Sequence, residues 1–288
     1  MKYTISHKTT YEYNEPVGVC HNIARLIPRN SKTQVCNSSS VTIFPRPDVI
    51  NNYEDFFGNK VMYFSIDKEH DSLEVHVTSV IEKKSLAVEK ISTATISGIE
   101  NELEFNDAGS TEVRQYIFPT SMTMWNKNIQ DYALRSFETG RPVYDATKEL
   151  MTRIFTDFEF KSGATSVATP VALVMDERKG VCQDFAHIAI SGLRSVGLPV
   201  RYVSGYIETI SPKGKEKLVG ADASHAWFSV YITGMGWVDF DPTNNVIAGD
   251  QHITIGWGRD YADIAPLKGI ILSSGTHELK VEVDVKRG

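Results

Sequence analysis

Polar and apolar side chains alternate strictly from Lys2 to Tyr13. Tyr3, Ile5, His7, Thr9, Tyr11 and Tyr13 fall on one face, and Lys2, Thr4, Ser6, Lys8, Thr10 and Glu12 on the other. A period of two is that of a half-buried strand. Further strand-like runs follow at 20–27, 41–45, 60–66 and 73–82, separated by turn signals at Pro28-Arg29-Asn30, Pro45-Arg46-Pro47-Asp48, Gly58-Asn59 and 67–71. This spacing predicts an antiparallel sandwich-like or barrel domain over residues 1–100. Residues 92–115 are polar and weakly patterned, which predicts a linker or long loop across the junction with a second domain, 101–288.

Beyond the junction the period lengthens. Ile129, Tyr132, Ala133 and Phe137 share a helical face, Gly140-Arg141-Pro142 breaks the run, and Ala146, Leu150, Ile154 and Phe155 begin another. Thr169-Pro170 reads as an N-cap followed by Pro at the first helical position, and Lys179-Gly180 as that helix's basic last turn and left-handed stop. Cys182, Phe185, Ala186, Ala189, Ile190 and Leu193 then form one buried helical face. Gly197-Leu198-Pro199 ends it, and 200–207 reads as a strand. Lys213, Lys215 and Lys217 around Gly214 read as a solvated loop tip. Residues 225–232 and 237–241 form a hairpin about Thr233-Gly234-Met235-Gly236. The turn-rich segment 256–263 reads as a cleft border in which Arg259 forms a structural pair with an aspartate or, as the alternative, contacts substrate directly. At the end, Leu279, Val281, Val283 and Val285 alternate as a strand that would rejoin the N-terminal region.

Cys182 opens its helix, where unpaired backbone N–H groups and the positive end of the dipole favour a nucleophilic thiolate. A cysteine packed as a small hydrophobe would fit the same pattern. The hairpin supplies the further test. His225, Trp227, Ser229 and Tyr231 share one face of its first strand, and Trp237, Asp239 and Asp241 one face of its second. Pairing Tyr231 with Trp237 makes His225 and Asp241 diagonal neighbours, with Cα atoms about 7–8 Å apart. Cys182, His225 and Asp241 thus meet the requirement for a thiol beside an imidazole oriented by a third polar group. Asp239 is the alternative orienter. His187, five residues along the helix, is turned about 140° from Cys182 and cannot easily serve the same site.

Composition narrows the function classes. In 288 residues, 41% hydrophobic and 23% charged, the net charge of −6 gives no positive surplus for nucleic acid or an anionic membrane. Three cysteines without a CxxC pattern argue against a structural zinc site and allow at most a Cys20–Cys36 bridge. There is no apolar leader at the start and no membrane-length apolar run, so a cytoplasmic location is expected. His7, His21, His70 and His76 sit at strand or turn spacing and read as structural or solvated. No EF-hand-like loop or dense carboxylate cluster occurs, so no metal or other cofactor is expected.

Gly180-Val181-Cys182, Ser224-His225-Ala226-Trp227 and the run 236–243, Gly-Trp-Val-Asp-Phe-Asp-Pro-Thr, resemble the three core motifs of the transglutaminase-like superfamily. The resemblance implies a papain-like α+β core with Cys182 as nucleophile, His225 as base and Asp241 as orienter. Residues 3–7, Leu26-Ile27-Pro28-Arg29, 55–59 (Asp-Phe-Phe-Gly-Asn) and Arg259-Asp260-Tyr261 are similar to the bacterial subfamily with a β-rich N-terminal region, described as transglutaminase-like cysteine proteases. That implies a peptide or amide substrate and an acyl-enzyme. The acceptor stays open between water, for a cysteine peptidase or amidase, and an amine, for a transglutaminase. A non-catalytic binding scaffold keeping the fold is the competing class. The oxyanion or cleft candidates are the Cys182 backbone N–H, Gln183, Trp227 and Trp237. The partner is then a protein or peptide substrate, and the motifs imply nothing about oligomeric state.

Overall fold

The computed structural model describes residues 1–84, 91–104, 108–208, 223–273 and 275–288. The lysine-rich turn at 213–217 lies outside the described residues. Six strands come first: β1 (Lys2–Val17), β2 (Val19–Ala24), β3 (Gln34–Phe44), β4 (Val49–Glu54), β5 (Lys60–Ile66) and β6 (His70–Lys83). Helices α1 (Ile96–Glu104), α2 (Ala108–Arg114), α3 (Lys127–Leu134) and α4 (Val143–Asp157) follow. Next come β7 (Glu159–Phe160), α5 (Val171–Glu177), β8 (Lys179–Gly180), α6 (Cys182–Ser195), β9 (Val200–Ile207), β10 (Ala223–Ile232), β11 (Gly236–Asp241), β12 (Val246–Ile247) and β13 (His252–Gly258). Helix α7 (Tyr261–Ile264), β14 (Leu267–Leu272) and β15 (His277–Arg287) complete the chain. The fold is α+β.

Two four-stranded antiparallel sheets, β15-β1-β6-β3 and β14-β2-β5-β4, make the β-rich part, and each takes one strand from the C-terminal end of the chain. The alternation in β1 buries Tyr3, Ile5 and His7, with Tyr3 opposite both Ile81 of β6 and Arg287 of β15. Of the apolar residues of β15, Val283 and Val285 are buried, while Leu279 and Val281 are exposed. The alternation there is real, but the sheet's cover ends before it does.

Several local expectations need correction. Residues 92–115 contain α1 and α2 rather than a loop, because Ile99 and Leu103 bury one face of α1. Strand β3 begins seven residues before the predicted Val41 and runs through polar, exposed Ser38–Ser40 with a bulge. Pro170 is itself the N-cap of α5, and Arg178, not Gly180, takes the left-handed conformation (φ 56°) after it. Gly180 instead pairs with Phe160 in a parallel two-stranded ladder. The three cysteines are free, so Cys20 and Cys36 form no bridge.

The α+β part is built round α6. Residues 184–194 of this helix are all buried, which a single amphipathic face would not give. One core joins Phe185, Ala186, Ala189, Ile190 and Leu193 of α6 to Ala226, Phe228, Val230 and Ile232 of β10 and to Phe240 of β11. Near the C-terminal end, buried Arg194 donates to the carbonyls of Tyr116 (2.8 Å), Val200 (2.7 Å) and Arg259 (2.7 Å) and to Thr123 Oγ1 (2.8 Å). A buried guanidinium is tolerable when its donors are matched in this way. These bonds fix the axis of α6 and with it the place of Cys182.

The five-stranded sheet runs β12-β11-β10-β9-β13, so β13 is an edge. An edge strand presents unpaired backbone groups, and here residues of the β-rich part cover them. Gln34 Nε2 donates to Thr254 O (2.7 Å) while its Oε1 accepts Thr254 N–H (3.0 Å). Asn59 does the same for Trp257, at 2.8 and 3.0 Å. Lys83 Nζ donates to His252 O (2.7 Å), and the Arg29 guanidinium stacks 3.2 Å from the Trp257 ring centroid. No helix among the described residues is long and apolar enough to cross a membrane.

Candidate active site

The hairpin register pairs Tyr231 with Trp237 and continues to Ile232–Gly236, leaving a three-residue turn in which Gly234 has φ 80°. The turn closes two residues tighter than the predicted five-residue loop but keeps its odd parity. His225 and Asp241 consequently meet, with Nε2 2.8 Å from Oδ2. The Cys182 thiol lies beside the same imidazole and acts on it electrostatically. With Nε2 donating to the carboxylate, Nδ1 is the ring nitrogen available to sulfur.

Local structure explains why each group is held. Cys182 is the first residue of α6, and the Asp184 carboxylate accepts the Val181 N–H (2.8 Å) and the Thr165 hydroxyl (2.6 Å), closing the helix start. A β-carbon on Gly180 would lie 2.7 Å from Asp184 Oδ2, so the glycine two residues before the thiol makes room for this carboxylate. His225 pairs with Gly205 of β9. A β-carbon at Gly205 would collide with the Ile253 carbonyl and the Trp227 ring. Gly205→Ala is therefore expected to destabilise the protein by about 1–3 kcal/mol, as overpacking of cores does, measured as a lower urea midpoint at unchanged m-value.

Asp241 is fully buried. Its Oδ2 accepts from His225, from His252 Nε2 (3.0 Å) and from Asn244 Nδ2 (2.7 Å), while Oδ1 accepts the N–H groups of Thr243 (2.9 Å) and Asn244 (3.2 Å). Burial alone would raise its pKa, but the hydrogen bonds from His225, His252 and Asn244 and the His225 charge hold it far below the usual carboxylate range. For His225, burial opposes charging. The hydrogen bond to Asp241 and the neighbouring Cys182, with the charges of both, outweigh burial and raise the ring to about 9. At neutral pH the site thus favours a charged imidazolium between a carboxylate and a sulfur.

His225, Asp241 and His252 also have ligand atoms within 4.8 Å of one another. Both imidazole Nε2 atoms point N–H groups at one carboxylate oxygen, so their lone pairs do not converge on a common centre. The arrangement is that of a hydrogen-bonded network, not of a metal cage.

The remaining sequence candidates fall differently. Asp239 accepts the Trp227 indole N–H (3.1 Å) and leaves His225 to Asp241. Trp227, expected at the cleft, is fully buried and packs edge-on against His252, a correction that follows from β13 covering that end of β9. Trp237 is half-buried against Tyr116 and Arg201. The Gln183 amide reaches toward Val167 O at 3.5 Å. The first turn of α6 leaves the Cys182 and Gln183 backbone N–H groups without intrahelical acceptors. His187 is buried, accepts the Tyr261 N–H (3.3 Å) and has its pKa pushed down to about 3 by burial and Arg194, so it is part of the packing. Arg259 pairs with Asp263. His252 escaped the sequence reading, although the run from His252 to Ile255 alternates and puts a histidine on the polar face of a strand just past the hairpin.

Two family models match the chain: the bacterial transglutaminase-like N-terminal region over residues 3–82 and the transglutaminase-like superfamily over residues 130–242. An uncharacterized Mycobacterium tuberculosis protein is 35% identical over 99% of this chain and 92% of its own length. The chain belongs to the transglutaminase-like superfamily. Its fold is also that of a Cytophaga hutchinsonii protein described as a "Putative Cysteine Protease", with a TM-score of 0.76 at 22% identity over 100% of this chain and 91% of that one. A Pseudomonas aeruginosa protein-glutamine gamma-glutamyltransferase is 32% identical over 90 residues, 31% of this chain and 14% of that protein. In this superfamily member the quoted motif residues have visible work: Asn59 and Arg29 cover β13, and Asp260 caps α7.

Proposed function

We propose that this protein is a thiol-dependent acyl-transfer enzyme acting on peptide or amide bonds, with Cys182 as nucleophile, His225 as general base and acid, and Asp241 as the orienter of the imidazole. The observation that carries the reading is the His225–Asp241 hydrogen bond with the Cys182 sulfur beside the same imidazole, at the first turn of a buried helix. The Cys182 sulfur, its proton held by His225, attacks the carbonyl carbon. The tetrahedral oxyanion faces the free N–H groups of the first turn of α6. Collapse breaks the C–N bond as His225 gives its proton to the leaving amine, leaving a thioester on Cys182. His225 then takes a proton from the acceptor, whose attack releases the acyl group and restores the thiol.

Water is the proposed acceptor, making the enzyme a peptidase or amidase. The partial similarity to a protein-glutamine gamma-glutamyltransferase favours a second reading, an amine acceptor. Incubating the protein with a glutamine-containing peptide library and a labelled primary amine separates the two. Cleaved or deamidated peptides without label are expected; label incorporated into peptide would establish amine transfer. Cys182→Ala should give neither product.

A further inference from the structure

The thiol chemistry above makes no use of His252, yet this residue is bound into the group that orients His225. Its Nε2 meets Asp241 Oδ2 at 3.0 Å, the oxygen that His225 approaches at 2.8 Å. The Gly249 N–H points at Nδ1 across 3.3 Å, so the ring accepts there and carries its proton on Nε2, aimed at the carboxylate. The ring is buried and lies edge-on to Trp227 at 5.2 Å, and Trp227 is itself fixed by Asp239. The carboxylate is thus held from three elements: by His225 on β10, by His252 on β13, and by Asn244 with the backbone N–H groups following β11.

The strand that delivers His252 is the edge covered by the β-rich part. Lys83, itself buried at the end of β6, binds the carbonyl of His252, and Gln34 grips Thr254 two residues on. A shift of the β-rich part against the five-stranded sheet would therefore reach His252 directly through Lys83.

We propose that His252 is a positioning residue for the Asp241–His225–Cys182 unit, and that the N-terminal region sets its place by binding its backbone through Lys83. The proposal rests on the functional reading above, since it concerns how that unit is held. Losing the His252 donor frees one lone pair of Asp241, weakens the hold on the ionised carboxylate and lets it rotate away from His225.

The test is the pH dependence of iodoacetamide labelling at Cys182. His252→Phe keeps an aromatic ring against Trp227 but removes the N–H. It is expected to lower the rate at pH 6 about tenfold, the scale of one charge-assisted hydrogen bond, and to move the acid limb up by about one pH unit. His252→Gln, which retains an N–H donor, should come back to within about threefold. Lys83→Met should shift the limb in the same direction by less. A folded His252→Phe protein with the wild-type limb overturns the proposal, as do equal losses in the Phe and Gln variants, which would mean packing alone. An unmoved limb in Lys83→Met overturns the part assigned to the N-terminal region. Nitrogen-15 NMR of the wild-type histidines reads the arrangement without any variant: a proton on Nε2 of His252 is expected, and a proton on Nδ1 overturns the proposal whatever the thiol does. Slow wild-type labelling unaffected by His225→Ala is a different failure, that of the functional reading.

Discussion

Asp241→Ala is expected to destabilise the protein by about 3–5 kcal/mol, the scale for removing one partner of a buried ion pair. Asp241 is fully buried, and the substitution strands the N–H donors of His225 and His252, both buried, and removes the acceptor of the Asn244 amide. Chemical unfolding at pH 7 measures it. The wild-type protein should show the same coupling through pH. The Asp241 pKa is depressed on folding, so its contribution is complete above the unfolded value of about 3.9 and falls away as pH drops below it. His225 runs the other way. Raised to about 9, its contribution is complete below about pH 6.5 and is lost as pH rises through 9. Thermal midpoints of the wild type should therefore fall on both sides of a plateau between about pH 4 and 6.5, and Asp241→Ala should flatten both flanks.

The second large effect is on turnover. His225→Ala is expected to reduce kcat/KM on any amide or peptide substrate by at least about 10²–10⁴, the contribution of a positioned general acid–base group. The loss should fall mainly on kcat, because the imidazole moves protons and the cleft binds the acyl chain. Asp241→Asn should retain more fold stability than Asp241→Ala, since the amide oxygen can still accept, while losing the negative charge that keeps His225 protonated. Its activity should decline at a lower pH than the wild type, whose alkaline decline is expected near 9.

The hairpin was legible because two local signals agree: alternation assigns His225 and Asp241 to one face, and an odd turn length keeps those faces together. The start of α6 was legible for a similar reason, since the helical period begins at Cys182 itself. What stayed hidden depends on neighbours distant in sequence. His252 reaches Asp241 because β13 pairs with β9, placing it beside a residue eleven positions earlier by way of an irregular return. Trp227 shares a strand face with His225, but only the close approach of Gly205 and His252 turns that position from a cleft wall into core. Strand β4 carries six exposed residues and offers no alternation to read, because only one of its edges is paired and neither face is covered. In 92–115, Ile96, Ile99 and Leu103 do carry a helical spacing, masked by the polar residues between them. The cover over β13 by Gln34, Asn59 and Lys83 could not be seen in any local pattern, since a polar residue facing an interface looks like one facing water.

The reactivity of one thiol decides whether Cys182 is a nucleophile. Cys182 should be alkylated by iodoacetamide at pH 6 far faster than Cys20 or Cys36, which lie outside the site as free thiols raised by burial. His225→Ala should remove that excess, while Cys182→Ala removes the labelling altogether. Peptide mapping with mass spectrometry after timed labelling reads all three sites in one experiment. A Cys182 rate that rises only above about pH 8, unchanged by His225→Ala, would contradict the nucleophile assignment and leave a folded scaffold in its place.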